Sequence, residues 1–388
     1  MTWITHPATM RRSSQPMTAA KGMDGAAGNG HPEVLFERRG RLGVVTLNRP
    51  KAVNALTAGM VDLLLRQLTA WAGEDDVATV LVQGAGERGL CAGGDIVAIY
   101  RDMLRGGNRT AGFWQAEYRL NSLIARYRKP YVAIMDGLVL GGGVGISAHG
   151  SIRVVTERTR MGMPETTIGF APDVGGTFLL SRAPGEAGTH AALTGAHLGA
   201  GDALFLGLAD RYVPSPSLPD LAAALEDDSA EDVVERCAEP APASRLAGQR
   251  EWIDACYSSD DAADIVSRLR AWAGPGQEDA REAADTIEAK SPTSVKVTLA
   301  SLRRAATLTL DEALAQEYRA GIRFLAGPDF REGIRAQVVD KDRKPQWKPA
   351  TLADVLPGQV DRFFEPLDGG ELELHPQAQL TPKEADHA

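Results

Sequence analysis

The stretch 131–157, YVAIMDGLVLGGGVGISAHGSIRVVTE, decides the fold. It opens on an apolar run that reads as a buried strand, turns through a glycine triplet, and closes on a second β-branched run, IRVVTE. Within it, GVGISA at 143–148 satisfies G-x-G-x-x-A after a strand, and Glu165 falls 20 residues beyond Gly145, which is the outline of a dinucleotide-binding fingerprint. The spacing rejects that reading. Only residues 144–150 separate the glycines from the next strand, roughly two turns of helix, whereas a parallel crossover needs about 10–12 residues. The segment predicts a short, repeated strand–strand–helix unit instead.

Working outward, the same pattern recurs. TVLVQG at 79–84 reads as a buried strand and leads to LCAGGDI at 90–96, where Asp95 is placed to cap a helix; a helix containing FWQAEYRLNSLI follows. VLFERRGRLGVVTL at 34–47 predicts a hairpin turning at Gly40. After the loop NRPKAVNAL, Thr57 is an N-cap for a helix whose apolar face carries Met60, Val61, Leu64, Leu65 and Leu68. From about Pro184 the periodicity is helical, with Leu310, Leu314, Tyr318, Ile322 and Leu325 on one face. Residues 214–245, rich in Pro, Ala, Asp and Glu, read as a surface segment or lid linker. The expected division is a disordered tail over 1–32, an α/β core over 33–213, a helical region over 214–365 and a polar tail over 366–388.

With 388 residues and 44% hydrophobic content, the chain can bury a large core. A net charge of −9 gives no general attraction for polyanions, so no nucleic-acid partner is expected. The three cysteines show no CxxC spacing and the seven histidines no HxxxH or HxH pair, so we expect neither a disulfide framework nor a metal site, and a reducing, cytoplasmic location. His149, beside a glycine turn, reads as structural. No run approaches the ~20 apolar residues of a membrane span, and Arg11 and Arg12 are followed by no apolar signal region.

Two glycine turns, CAGGD at 91–95 and GGGVG at 141–145, each lie after a strand and at a helix start, where free backbone N–H groups point outward. Two such donors converging on one carbonyl oxygen would form an oxyanion hole. Nearby, MPETTIGFAPDVGG at 163–176 sets Glu165 and Asp173 eight residues apart in an otherwise uncharged segment. Taken alone, these acids fit a helix start and a turn equally well.

In this order, LNRPKAVNAL, CAGGDI, GGGVGIS and MPETTIGFAPDVGG resemble the crotonase (enoyl-CoA hydratase/isomerase) superfamily. The resemblance implies a crotonase-like spiral of ββα units with a helical C-terminal region, an acyl-CoA substrate, Gly94 and Gly142 as oxyanion donors, and Glu117 at the substrate pocket. It also implies no cofactor beyond the CoA carried by the substrate, and a possible homo-oligomer, the trimer being the superfamily habit. Enoyl-CoA hydratases carry one glutamate on the helix after the triple glycine and another in the Pro-Glu segment; here the first position is Gly145, the second is Glu165, and Asp173 stands where hydratases have glycine. PET…PDVGG, with SPTSVKVTL, EYR and DFREGIRAQVVDKDRKPQWKPA further on, is similar to the 3-hydroxyacyl-CoA thioester hydrolase branch, whose setting is valine catabolism. Thioester hydrolysis by Glu165 and Asp173 is therefore the expected reaction. Hydration by an enoyl-CoA hydratase/isomerase, and a non-catalytic acyl-CoA-binding role, are the alternatives. Glu165 could attack directly or activate water, and Lys51 is open as a CoA phosphate contact.

Overall fold

The computed structural model describes residues 32–374. The expected N-terminal tail, save Pro32, and residues 375–388 lie outside that range. The hairpin forms as β1 (Val34–Arg39) and β2 (Leu42–Leu47), antiparallel, with Gly40 at φ +56° in its turn. Strands β3 (Thr79–Gly84), β5 (Tyr131–Met135) and β7 (Ile152–Val155) then add in parallel. Between and after them, β4 (Gly89–Cys91), β6 (Leu138–Leu140) and β8 (Arg160–Gly162) build a separate three-stranded parallel sheet. Each consecutive pair thus lays one strand in each sheet before the chain moves on, which is the expected spiral; with a last short strand, β9 (Arg211–Tyr212), the large-sheet order is β1-β2-β3-β5-β7-β9 and the small-sheet order β4-β6-β8.

Helices fill the turns between pairs: α1 (Ala58–Gly73), α2 (Ile96–Leu104), α3 (Arg109–Ala125) and α4 (Gly142–Gly145). Both expected caps are in place, since Thr57 accepts a hydrogen bond from Met60 N and Asp95 from Ala98 N.

Parallel strands covered on both faces read as continuous apolar runs, and alternation sends neighbouring residues to opposite cores. Val45, Leu47, Val80, Val82, Ala133 and Met135 join the main core with α1 and α3. Leu42, Val44, Leu81, Val132, Ile134 and Val154 form a second core on the reverse face. Helices Leu218–Ala224 and Ala230–Cys237 cover that face through Leu221, Leu225, Val233 and Val234. This corrects the lid-linker expectation for 214–245: the few apolar residues, diluted by Ala and acids, close the back of the sheet. Strand β9 (Arg211–Tyr212) also escaped the helical reading, because two residues show no periodicity.

Further on, α5 (Gly176–Leu180), α6 (Pro292–Ala305), α7 (Leu310–Ala326) and α8 (Pro328–Ile334) pack beside one another and against α3. On α7 the buried face runs through Ala313, Leu314, Glu317, Tyr318, Gly321 and Phe324. Residues 366–374, expected in a polar tail, are tied down: Glu371 pairs with Arg319, and Arg119 donates to Glu373 O at 2.6 Å.

Candidate active site

All three strands of the small sheet point their carboxyl ends at one place. The chain leaves β4 as 92–95, β6 as 141–142 and β8 as 163–165, so three segments remote in sequence converge at the kind of edge where open α/β sheets carry ligands. A cavity of about 210 Å³ lies there, lined by Gly94, Gly142, Glu117, Glu165 and Asp173 among others. The structure therefore brings all five residues singled out from sequence to one cavity.

Backbone geometry makes two donors free. Leu56 N donates to Gly93 O at 2.8 Å and Asp95 N to Leu56 O at 2.9 Å, so this parallel bridge uses one edge of the segment and turns Gly94 N the other way. Gly142 is the first residue of α4, whose N–H has no partner within the helix. Neither N–H donates to a protein acceptor among the described residues. A Cβ built on Gly142 would sit 3.4 Å from Gly94 N and 2.5 Å from Glu117 Oε1. Gly141, at φ +50°, leaves room for Glu165 Oε1, which would lie 2.7 Å from a Cβ there. The triplet thus lets the main chain come close to two carboxyl groups and to the second donor.

Glu117 comes from α3 and Glu165 opens a 3-10 turn (Glu165–Ile168); Glu117 Oε1 and Glu165 Oε2 are buried and have no hydrogen-bond partner among the described residues. Asp173 Oδ2 accepts from Tyr118 at 2.8 Å. Burial, reinforced by the Asp173 charge, holds both glutamates well above the usual carboxylate range. Burial likewise pushes Asp173 up to about 7, against the downward pull of the Tyr118 hydrogen bond. Burial and mutual repulsion thus disfavour ionising all three carboxyls together, which is the condition under which neighbouring acids share a proton.

Several site residues escaped the sequence reading. Tyr118 and Asn121 share with Trp114 and Glu117 one face of α3, at i, i+3, i+4 and i+7 spacing that was legible in FWQAEYRLN. Glu317, inside the EYR segment, accepts from Gly175 N at 2.7 Å and Thr177 N at 3.0 Å, and burial lifts it to about 8. Trp114, Phe170 and Phe330 stack along the cavity wall, with centroids of Phe170 4.6 Å from Phe330 and 5.2 Å from Trp114. Only the three-dimensional path of α8 brings Phe330 there. As expected, His149 is structural: its Nε2 donates to Val174 O at 2.8 Å, and burial lowers it to about 4. Position 145 is closed as well as uncharged, since a Cβ on Gly145 would lie 2.6 Å from Val174 Cβ and 2.8 Å from Asn121 Nδ2.

A second cavity, of about 280 Å³, shares Ile99 and Phe113 with the first and is lined by Arg101, Arg105 and Arg109.

The profile of the enoyl-CoA hydratase/isomerase family matches residues 42–364, and the chain belongs to that family. Among curated relatives, a mitochondrial 3-hydroxyisobutyryl-CoA hydrolase of Gallus gallus is 38% identical over 371 residues, covering 93% of this chain and 94% of the relative. Its namesake in Danio rerio is 41% identical over 353 residues, covering 88% and 92%. Among solved structures, a carnitinyl-CoA dehydratase from Mycobacterium thermoresistibile superposes with a TM-score of 0.85 at 52% identity, covering 89% of this chain and 99% of that one. An enoyl-CoA hydratase from Rhodobacter sphaeroides 2.4.1 gives 0.83 at 40% identity, covering 88% and 100%.

Proposed function

We propose that this chain hydrolyses the thioester of 3-hydroxyisobutyryl-CoA, a step of valine catabolism. One observation carries the choice of reaction within the family: the place of the first hydratase glutamate is a glycine packed under Val174, while an extra acid, Asp173, enters the cavity beside Glu165. The curated relatives bear the hydrolase name. Because the two solved relatives are titled dehydratase and hydratase, water addition to an enoyl-CoA is the second reading.

In the proposed reaction the thioester oxygen takes hydrogen bonds from Gly94 N and Gly142 N, each such donor contributing roughly 2.7–4 kcal/mol as charge builds on the oxygen. The reactive state has the proton of the pair on Asp173 and leaves Glu165 ionised, at a free-energy cost because burial favours protonated Glu165. Ionised Glu165 then either attacks the carbonyl carbon, giving a mixed anhydride that water opens, or removes a proton from an attacking water. The C–S bond breaks and the departing thiolate takes a proton from Asp173, leaving the free acid and CoA. Repeated turnover in ¹⁸O-water tests the covalent route, since label enters the Glu165 carboxyl only through an anhydride that water opens at the Glu165 carbonyl. Glu117, whose Oε1 lies beside Gly142 and has no partner among the described residues, is placed to accept from the substrate hydroxyl. The arginine-lined cavity is where the CoA phosphates would lie.

No cofactor or metal is proposed beyond the CoA of the substrate, and chelator is expected to change nothing. Among the described residues, no helix is long and apolar enough to cross a membrane. We keep a cytoplasmic location as part of the proposal; the curated relatives are named mitochondrial, and cell fractionation decides between the two compartments. The trimer also stays a proposal, read by light scattering on the purified protein. Thiol release should be fastest from 3-hydroxyisobutyryl-CoA, slower from 3-hydroxypropionyl-CoA and absent from crotonyl-CoA. Loss of the enoyl absorbance of crotonyl-CoA without thiol release from any of the three would overturn the hydrolase reading.

A further inference from the structure

Asp173 sits at the start of a turn that the chain holds against its own preference. Gly176 N donates to Asp173 O at 2.7 Å, and the two residues between, Val174 at φ +52° and Gly175 at φ +81°, both occupy left-handed backbone. That is a type I′ turn, which favours Gly, Asn or Asp at both central positions. A β-branched residue there is an outlier that persists only where its surroundings impose it.

Two groups impose it. His149 donates to the Val174 carbonyl, and Glu317 Oε2 accepts from Gly175 N while its Oε1 accepts from the backbone and hydroxyl of Thr177. The gap above Gly145 receives the Val174 side chain, which is 1% exposed. Glu317 is 3% exposed, arises from α7 in the C-terminal region, and has no part in the proposed chemistry.

We propose that Glu317 is a positioning residue: by seating the Gly175 and Thr177 amides it keeps Val174 in its strained conformation and aims the Asp173 carboxyl into the cavity. The α7 helix thereby controls the geometry of an acid that lies more than a hundred residues earlier in the chain. Its effect on rate rests on the hydrolase reading; its effect on the turn does not.

The test is Glu317→Gln in the full chain. The amide nitrogen of Gln can occupy only a site where a backbone donor already points, so one of the clamps is lost with little change in volume. Amide hydrogen exchange across 174–177 is expected to accelerate. Among folded molecules, kcat for 3-hydroxyisobutyryl-CoA is expected to fall at least tenfold with KM within about threefold of the parent, since misplacing one acid affects the chemical step more than binding. Thr177→Val, nearly isosteric, removes the hydroxyl donor alone; it should show the same split to a smaller degree, and it decides the matter if the glutamine variant does not fold. Parental exchange rates at 174–177, or a kcat within twofold of the parent, would overturn the proposal. A parent that releases no thiol fails the hydrolase reading instead, and the exchange measurement then decides whether Glu317 holds the turn.

Discussion

At the scale of single residues, the site is a set of carboxyl groups with no lysine or arginine among their closest influences. Glu117, Glu165, Asp173 and Glu317 are all buried, and desolvation is the first cause of the rise in each pKa. Glu165→Gln preserves volume and can still hydrogen-bond, but it supplies neither nucleophile nor base. Thiol release should fall by at least roughly 10²-fold, the lower end of what a general base contributes, while the Kd for a non-hydrolysable acyl-CoA analogue stays within a few-fold of the parent. Parental turnover in that variant would reduce the acids of MPETTIGFAPDVGG to turn residues.

Elements explain why the residue swap suggested by motif matching does not transfer. In sequence, Gly145→Glu with Asp173→Gly rewrites the acid pattern of a hydratase. In the structure α4 is a single buried turn, and any side chain at 145 meets Val174 and Asn121 at under 3 Å. The double variant is therefore expected to lose stability, with a Tm lower by several degrees, and to gain no water addition to crotonyl-CoA. Measurable hydration by a well-folded double variant would show that the 174 turn moves aside. Helices 218–224 and 230–237 give the complementary case. Leu221 is fully buried on the reverse face of the large sheet, away from the cavity. Leu221→Ala should lower stability by about 2–5 kcal/mol in denaturant titration and leave kcat/KM of the folded protein unchanged. A matching loss of kcat/KM would mean that the reverse core controls the site.

Over the whole molecule, the buried titratable groups set how stability depends on pH. Asp173, raised to about 7, and Glu317, raised to about 8, bind protons more tightly in the folded chain than in the unfolded one. Their stabilising contribution is full below the ordinary carboxylate range and is lost as pH rises toward those values. His149 and His190 act in the opposite sense: burial lowers both to about 4, so their contribution is present above their ordinary 6.5 and is lost as pH falls toward 4. Between pH 6.5 and 8 the histidines are neutral in the folded chain and shed only about half a proton each from the unfolded one, which is outweighed by the protons that the buried carboxyls hold in the folded chain alone. The Tm is therefore expected to fall across that window, and Asp173→Asn should flatten the fall. A Tm that rises from pH 6.5 to 8, or a slope untouched by Asp173→Asn, would show that the carboxyl cluster is ionised at little expense.

Local rules were enough for much of this. The hairpin at Gly40, the caps Thr57 and Asp95, the strand at 79–84 and the short interval after the glycine triplet all depend on neighbours within a few residues, so the repeating ββα unit could be read directly. Gly94, Gly142, Glu117, Glu165 and Asp173 were also nameable in advance, because short contiguous motifs carry the family resemblance that points to those positions. Distance in sequence hid the rest. Nothing near 214–237 shows that its sparse apolar residues seal the back of a sheet, since that face exists only once four parallel strands are assembled. Val174 reads as an ordinary valine until the left-handed turn is seen, and Glu317 as a solvated helix glutamate until α7 lies against the 173–177 segment. The identities of the acids were written in the sequence; their burial, and the amide contacts that aim them, arise only when residues far apart in the chain exclude water together.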